Sequence, residues 1–422
     1  MNTVSKNSVI SRDAIDDERA IATLRRSIAR ASVTGDEANF VSLLTELLPE
    51  VGVDPIVVRD FAEGRPNIWG TRKGTGDGPC LMLLGHTDVV HVRGWRERWA
   101  GTEREDPFGG TVVDGEIWGR GAADLKAGIA TVIEALHMLE DLGVRLAGDV
   151  VVAFIGDEES GEPGSGISAG MKALVAAMDA GELPTPDFAI YVEPTTLDIY
   201  PAQIGFFITD IAVHGRTAYF GTPELGVDAL RATHAILGAL WEHSADIAAR
   251  GEHPLVGRSF LVVTAIEGGG LIAVPEHCRI SLIRKLRPGE DLDQAREELD
   301  AVVRGAVTNP EIEVAITYPA GRDHAVGGTA TEVNFETEAV AMLIDSAAAV
   351  RPDRGRVAGA PFWSEASFLV SRGIPTVYFA PGDIRICHSL EERVPIQEYL
   401  DGIAILVGFI ARYCGVANEK KS

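Results

Sequence analysis

Four short apolar runs constrain the fold of this 422-residue chain more than any other feature. Cys80–Leu84, Val150–Ile155, Phe188–Val192 and Thr376–Phe379 are apolar almost throughout, with no polar alternation. Successive side chains of a strand point to opposite faces, so such runs must be covered on both sides. Between the first two, Ala127–Gly143 places Ile129, Val132, Ile133, Leu136 and Leu139 at helical spacing. Strands buried on both faces and separated by amphipathic helices predict an α/β fold, a helix-covered and mostly parallel sheet. Arg19–Leu48 also reads as helical, with a break around Thr34-Gly35-Asp36.

The middle of the chain has a different rhythm. Ile204–Val213 alternates like a half-exposed strand, and Leu225–Trp241 is amphipathic at helical spacing. Ser259–Ile266 and Pro275–Leu286 read as strands, Asp291–Val303 as a helix and Ile312–Tyr318 as a strand. This β-α-β-β-α-β order predicts an α+β domain, an antiparallel sheet with two helices on one face, inserted at residues 206–325. After the glycine-rich stretch Gly321–Gly328 the first pattern resumes, so residues 1–205 and 326–422 are expected to form one split domain.

With 62 acidic against 38 basic residues, the net charge of −24 excludes a nucleic-acid partner, because a phosphate backbone needs a basic face. The four cysteines, Cys80, Cys278, Cys387 and Cys414, lie far apart and show no CxxC spacing. They read as reduced thiols rather than a disulfide framework or structural zinc site. The polar start MNTVSKNSVISRDAIDDERA lacks the apolar core of a signal peptide. No apolar run reaches the roughly 18 residues that cross a bilayer. The expectation is a cytoplasmic protein without membrane contact.

Polar clusters follow the apolar strands directly. The first runs into His86 and Asp88, the second into Glu158 and Glu159, the third into Glu193, and the fourth into a loop carrying His388. Asp124 stands at the mouth of the periodic helix. Ligands of open α/β sheets bind beyond the carboxyl ends of the strands. Singly, each cluster also suits a solvated loop, and Asp124 a helix cap. Jointly, two histidines and several carboxylates on one edge form a nitrogen and oxygen donor set suited to zinc, cobalt or manganese.

Five blocks, GHTDVV, WGRGAADLKAG, GDEESGEPGSG, VEPT and CHSLEERV, occur in this order from about residue 80 towards the C-terminus. They resemble the signature of the dinuclear metal hydrolases that include acetylornithine deacetylase, succinyl-diaminopimelate desuccinylase, aminoacylase and bacterial glutamate carboxypeptidase. The resemblance implies two divalent ions (zinc, manganese or cobalt) held by His86, Asp124, Glu159, Glu193 and His388, with Asp124 shared between them. It implies Asp88 as the carboxylate orienting His86, and Glu158 as the general base that takes a proton from water and hands it to the leaving nitrogen. The insert would be a lid through which a homodimer forms, and the partner a small-molecule substrate.

The lid departs from the family pattern. The family's carbonyl-polarising histidine follows a G-x-x-x pattern, and here Gly215-Arg216-Thr217-Ala218 is followed by Tyr219. A family asparagine is matched by Ile272, and a carboxylate-gripping arginine by Lys285, beside Arg284 and Arg287. Tyr219, Arg284, Lys285 and Gly382 are the candidate substrate contacts. These changes point to a rebuilt pocket for a flatter, more apolar substrate. The default is then hydrolysis of an amide C–N bond, as by an N-acyl amino acid deacylase or carboxypeptidase. The alternatives are an aminohydrolase acting on an activated aromatic amine, resembling an atypical nitroanthranilate branch of the family, and a non-catalytic metal-holding protein.

Overall fold

The structure is a computed structural model describing residues 12–160 and 164–417. Residues 1–11 of the polar N-terminal start and residues 161–163 of the third block lie outside the described residues. The described chain divides into two compact units. One runs to Pro201 and takes in Val333–Ala358 and the chain from Phe368 onward; the other comprises Ala202–Glu332 and Gly359–Ser367.

The first unit is built on a twisted sheet. In order of pairing its strands are Val53–Ala62, Arg65–Arg72, Val150–Ile155, Leu81–His86, Phe188–Tyr191, Thr376–Tyr378 and Ile199–Gln203. The four apolar runs of the sequence are its central strands and pair in parallel. Each is buried at every position, which is why none alternates. The flanking pairs are antiparallel. Helices Asp17–Ile28 and Ala38–Glu50 occupy the run read over Arg19–Leu48, with a break that includes Thr34, Gly35 and Asp36. The first begins where the Asp16 carboxylate accepts the Arg19 amide at 3.0 Å. Helix Ala127–Asp141 is buried almost all round, and Ile396–Tyr413 packs beside it.

The hairpin Val53–Arg72 escapes the sequence reading because its outer strand is mostly exposed and lacks an apolar run. Strands Thr111–Val113, Glu116–Trp118 and Arg393–Pro395 are likewise too short to show a period, yet they form a separate three-stranded sheet.

In the second unit, Gly205–His214, Phe260–Gly268, His277–Leu286 and Glu313–Thr317 form an antiparallel sheet with Phe260–Gly268 at its edge. Helices Ala229–Ala249 and Leu292–Gly305 contribute Ile236, Leu240, Leu299 and Val303 to a core shared with Phe207, Ile211, Ile280 and Leu282. The first helix starts later than the Leu225 expected, because Asp228 caps it by accepting the Arg231 amide at 3.0 Å. Among the described residues no helix is long and apolar enough to cross a membrane.

Candidate metal centre

The central strands run parallel, so their carboxyl ends lie on one edge. His86 pairs level with Ile155, and Leu84 with Tyr191. The chain therefore releases His86, Glu158, Glu159 and Glu193 from neighbouring strand ends within a few residues of each other. Asp124 sits in the turn at Ala122–Lys126, just ahead of the buried helix.

The side chains converge on Asp124. One of its oxygens lies 3.1 Å from Nε2 of His86 and the other 3.1 Å from Nε2 of His388. His388 Nε2 is also 3.0 Å from Glu159. His86 Nε2 is 3.7 Å from Glu193 and 4.0 Å from Glu158. The Asp124 carboxylate thus stands between the two histidines, and ligand atoms of His86, Asp124 and Glu159 lie within 4.8 Å of one another. His86, Asp124, Glu159 and Glu193 are buried, while His388, whose side chain is 54% exposed, forms the solvent side.

The electrostatics ask for positive charge. Burial pulls His388 down, but hydrogen bonds to Asp124 and Glu159 outweigh it and raise the imidazole to about 11. Burial likewise opposes a charged His86, and Asp124 with the charges of Glu193 and Glu158 holds it well above its ordinary value. Asp124, despite burial, is held below the ordinary carboxylate range by the two imidazoles. Burial and then the Asp124 charge push Glu159 up to about 7. Protons and divalent cations compete for such donors. His86 Nδ1 bonds the Asp88 main-chain carbonyl at 2.9 Å, which orients the ring and leaves Nε2 facing the carboxylates. This mixed set fits a zinc-, cobalt- or manganese-type cation.

Asp88 differs from its expected contact. Its carboxylate is 3.8 Å from His86 Nδ1, and the carbonyl of the same residue orients the ring instead. The carboxylate accepts the amides of Glu158 and Glu159 at 3.3 and 3.0 Å and the Thr34 hydroxyl at 3.0 Å. Burial pushes it up to about 7.

Several supporting groups were not foreseen. Asp157, at φ 70°, accepts the amides of Gly166, Ile167 and Ala169 and pairs with Arg65 at 2.9 Å, which shapes the loop carrying Glu158 and Glu159. Arg120 and Glu392 form a buried ion pair beneath Asp124 and His388. Both stand inside the sequence blocks, but their pairing spans 272 positions and leaves no local signature.

The candidate substrate contacts are placed unequally. Tyr219 is 62% exposed, its ring 4.5 Å from that of Phe220, and Leu271 and Ile272 are exposed in the facing loop. Lys285 Nζ donates to the Val256 carbonyl at 2.6 Å and lies over the Phe260 ring. Arg284 must be corrected: its guanidinium is buried and bonded to Glu290 at 3.0 Å, so it braces the second unit instead of offering a free cation. Arg287 donates to the Arg250 carbonyl. The Gly382 amide is taken by Glu398 at 2.7 Å. At φ 108°, a Cβ on Gly382 would stand 3.1 Å from the Cβ atoms of Ala123 and Pro194, so the position packs the loops behind Asp124 and Glu193.

Residues 82–412 match the model of peptidase family M20/M25/M40. The chain belongs to this family. It is similar to N-formyl-4-amino-5-aminomethyl-2-methylpyrimidine deformylase of Bacillus subtilis (strain 168), at 26% identity, with 86% of each chain covered. It is similar to acetylornithine deacetylase of Myxococcus xanthus, at 27% identity, with 90% of each covered. In fold it resembles an M20 family metallo-carboxypeptidase from Sulfolobus solfataricus, with a TM-score of 0.74 and 17% identity over 94% of this chain and 99% of that one. An M20 chain with this centre is a metal-binding hydrolase acting on amide C–N bonds. The family favours this reading over the aromatic aminohydrolase and over a metal-holding protein without catalysis.

Proposed function

We propose that this M20 hydrolase removes a small acyl group from the nitrogen of a planar, largely apolar amine, using two divalent cations of the zinc, manganese or cobalt type. The placement of Asp124 between His86 and His388 carries the dinuclear reading. In it, His86, Asp124, Glu159, Glu193 and His388 would hold the two ions. When bound, such ions would supply Lewis acidity that eases removal of a proton from water. Glu158, beside the ligands, takes the proton as the water oxygen bonds to the carbonyl carbon. It returns that proton to the nitrogen as the C–N bond breaks, giving a carboxylic acid and an amine. Asp88 fixes the base by holding the Glu158 and Glu159 amides. Tyr219, in the second unit, stands at the sequence position of the family's carbonyl-polarising histidine and keeps a hydroxyl there.

The substrate class rests on the exposed apolar surface of Tyr219, Phe220, Leu271 and Ile272, in which Tyr219 and Ile272 stand where the family pattern carries a histidine and an asparagine. The relative in Bacillus subtilis, named as a deformylase of an aminopyrimidine, supports a flat ring on the nitrogen side. Lys285 keeps a positive charge in the second unit for an anionic substituent. The chain forms a homodimer through the insert, whose edge strand exposes Phe260, Val262 and Ile266. We place it in the cytoplasm on the four free cysteines.

A substrate panel tests the reading. N-formyl and N-acetyl derivatives of aromatic and heteroaromatic amines should exceed N-acetylornithine and succinyl-diaminopimelate in kcat/KM by on the order of 10–200-fold, the reach of apolar pocket discrimination. A kcat/KM of about 10⁵ M⁻¹s⁻¹ or more on N-acetylornithine, the range of good enzymes, would return the protein to amino acid deacylation.

A further inference from the structure

Arg120 and Glu392 are both about 1% exposed and form an ion pair inside the first unit. Isolated buried charges are costly, and such a pair persists only where further hydrogen bonds satisfy it. Here the remaining bonds all go to main chain beside the metal centre. Glu392 Oε1 accepts the amides of Ala123 and Asp124, each at 3.1 Å. Arg120 Nε donates to the carbonyl of His91 at 3.2 Å, five residues past His86. Its second terminal nitrogen donates to the carbonyl of Ser389 at 3.1 Å, next to His388. One ion pair therefore ties together the segments that carry His86, Asp124 and His388.

We infer that Arg120 and Glu392 are positioning residues that set the spacing between the two half-sites. His86 ends a central strand and is fixed by its ladder. Asp124 and His388 sit on irregular backbone and lack that support; His388 adopts φ 61° and its side chain is half-exposed. Loss of the clamp thus falls on the half-site completed by His388. Lysine cannot replace Arg120, because a point charge cannot reach three acceptors in the fixed fork of a guanidinium.

The inference rests on the dinuclear reading, and titration of metal-free protein with Co²⁺ separates the two. The readouts are calorimetry, the visible absorption of bound cobalt and thermal unfolding of the metal-free form. Wild-type protein should bind two ions. Arg120→Lys and the double variant Arg120→Met/Glu392→Gln, which removes both buried charges together, should stay folded. They should bind the second ion about 10–100-fold more weakly, the usual effect of groups that support ligands. Folded variants with two ions at wild-type affinity and an unchanged cobalt spectrum overturn the inference. Wild-type protein that binds no divalent ion overturns the dinuclear reading itself.

A separate observation lies on the second unit. His214 and His277 are cross-strand partners, with Glu313 opposite His214 on the next strand. Their Nδ1 atoms are 2.9 Å apart. Glu276 lies 3.6 Å from Nε2 of His277, and an ion binding between the two Nδ1 atoms would displace the one proton that their hydrogen bond shares. With imidazole–metal bonds of about 2.0–2.1 Å, nitrogens 2.9 Å apart subtend about 90° at an ion. That is the cis angle of copper(II) or nickel(II), and we propose a surface site for such an ion here. Zinc-loaded full-length protein titrated calorimetrically with Ni²⁺ should take up one further equivalent. His214→Asn and His277→Asn should each abolish it while amide hydrolysis continues unchanged. No further equivalent, or one that survives both substitutions, overturns the proposal.

Discussion

The Asp88 carboxylate accepts the main-chain amide of Glu159 at 3.0 Å, tying the loop after one central strand to the loop after its neighbour. The contact fixes Glu158 and Glu159 together, whereas His86 is oriented by the Asp88 carbonyl, which any side chain at this position would retain. Asp88→Asn should therefore weaken metal binding by no more than about 10–100-fold, and less than His86→Ala, which removes a donor atom. Its larger effect should fall on kcat. Metal titration and steady-state kinetics of the two variants, compared side by side, check the order.

Glu158→Gln should leave the metal content and the unfolding temperature unchanged and lower kcat by on the order of 10²–10⁴. Glutamine is close to isosteric but cannot take a proton from water. A variant turning over near the wild-type rate would remove Glu158 from the mechanism.

Exhaustive chelation should abolish activity, and readdition of zinc, manganese or cobalt should restore it. Elemental analysis of the purified enzyme should find about two divalent ions per chain if Asp124 bridges two half-sites. Protein without divalent metal and with undiminished turnover would contradict the centre as built here.

Tyr219→Phe removes the hydroxyl at the sequence position of the family's carbonyl-polarising histidine and keeps the ring. A loss of about 10²–10³ in kcat, with little change in KM, is expected. Unchanged kcat would leave Tyr219 as a purely apolar wall.

Arg284 and Glu290 test the packing of the second unit. Burial pushes Glu290 up, but the Ser259 hydroxyl, the Arg287 amide and the Arg284 guanidinium outweigh it and hold it below its ordinary 4.5. A carboxylate depressed on folding contributes stability above its unfolded value and loses that contribution as pH falls through the folded one. Glu290→Gln should thus destabilise by about 1–3 kcal/mol at neutral pH, typical of bonds to charged groups. Variant and wild type should converge well below pH 4.5, the ordinary carboxyl value. Denaturant unfolding at neutral and acidic pH measures the difference.

Local pattern in the sequence reached far. Apolar runs without alternation marked the four central parallel strands because two-sided burial leaves no position for a polar side chain. The polar residues just past them followed, since parallel strands end on a common edge. With the family resemblance, His86, Asp124, Glu159, Glu193 and His388 could be named as candidate ligands before any distance was known. What only the tertiary structure decided was the company each side chain keeps. The Asp88 carboxylate holds amides 70 and 71 residues away, Arg120 pairs with Glu392, and Arg284 is enclosed by Glu290 instead of facing a substrate. Periodicity reports which face of an element is buried. It carries no record of which distant carbonyl or carboxylate will meet a given donor, because those partnerships arise only when the elements pack.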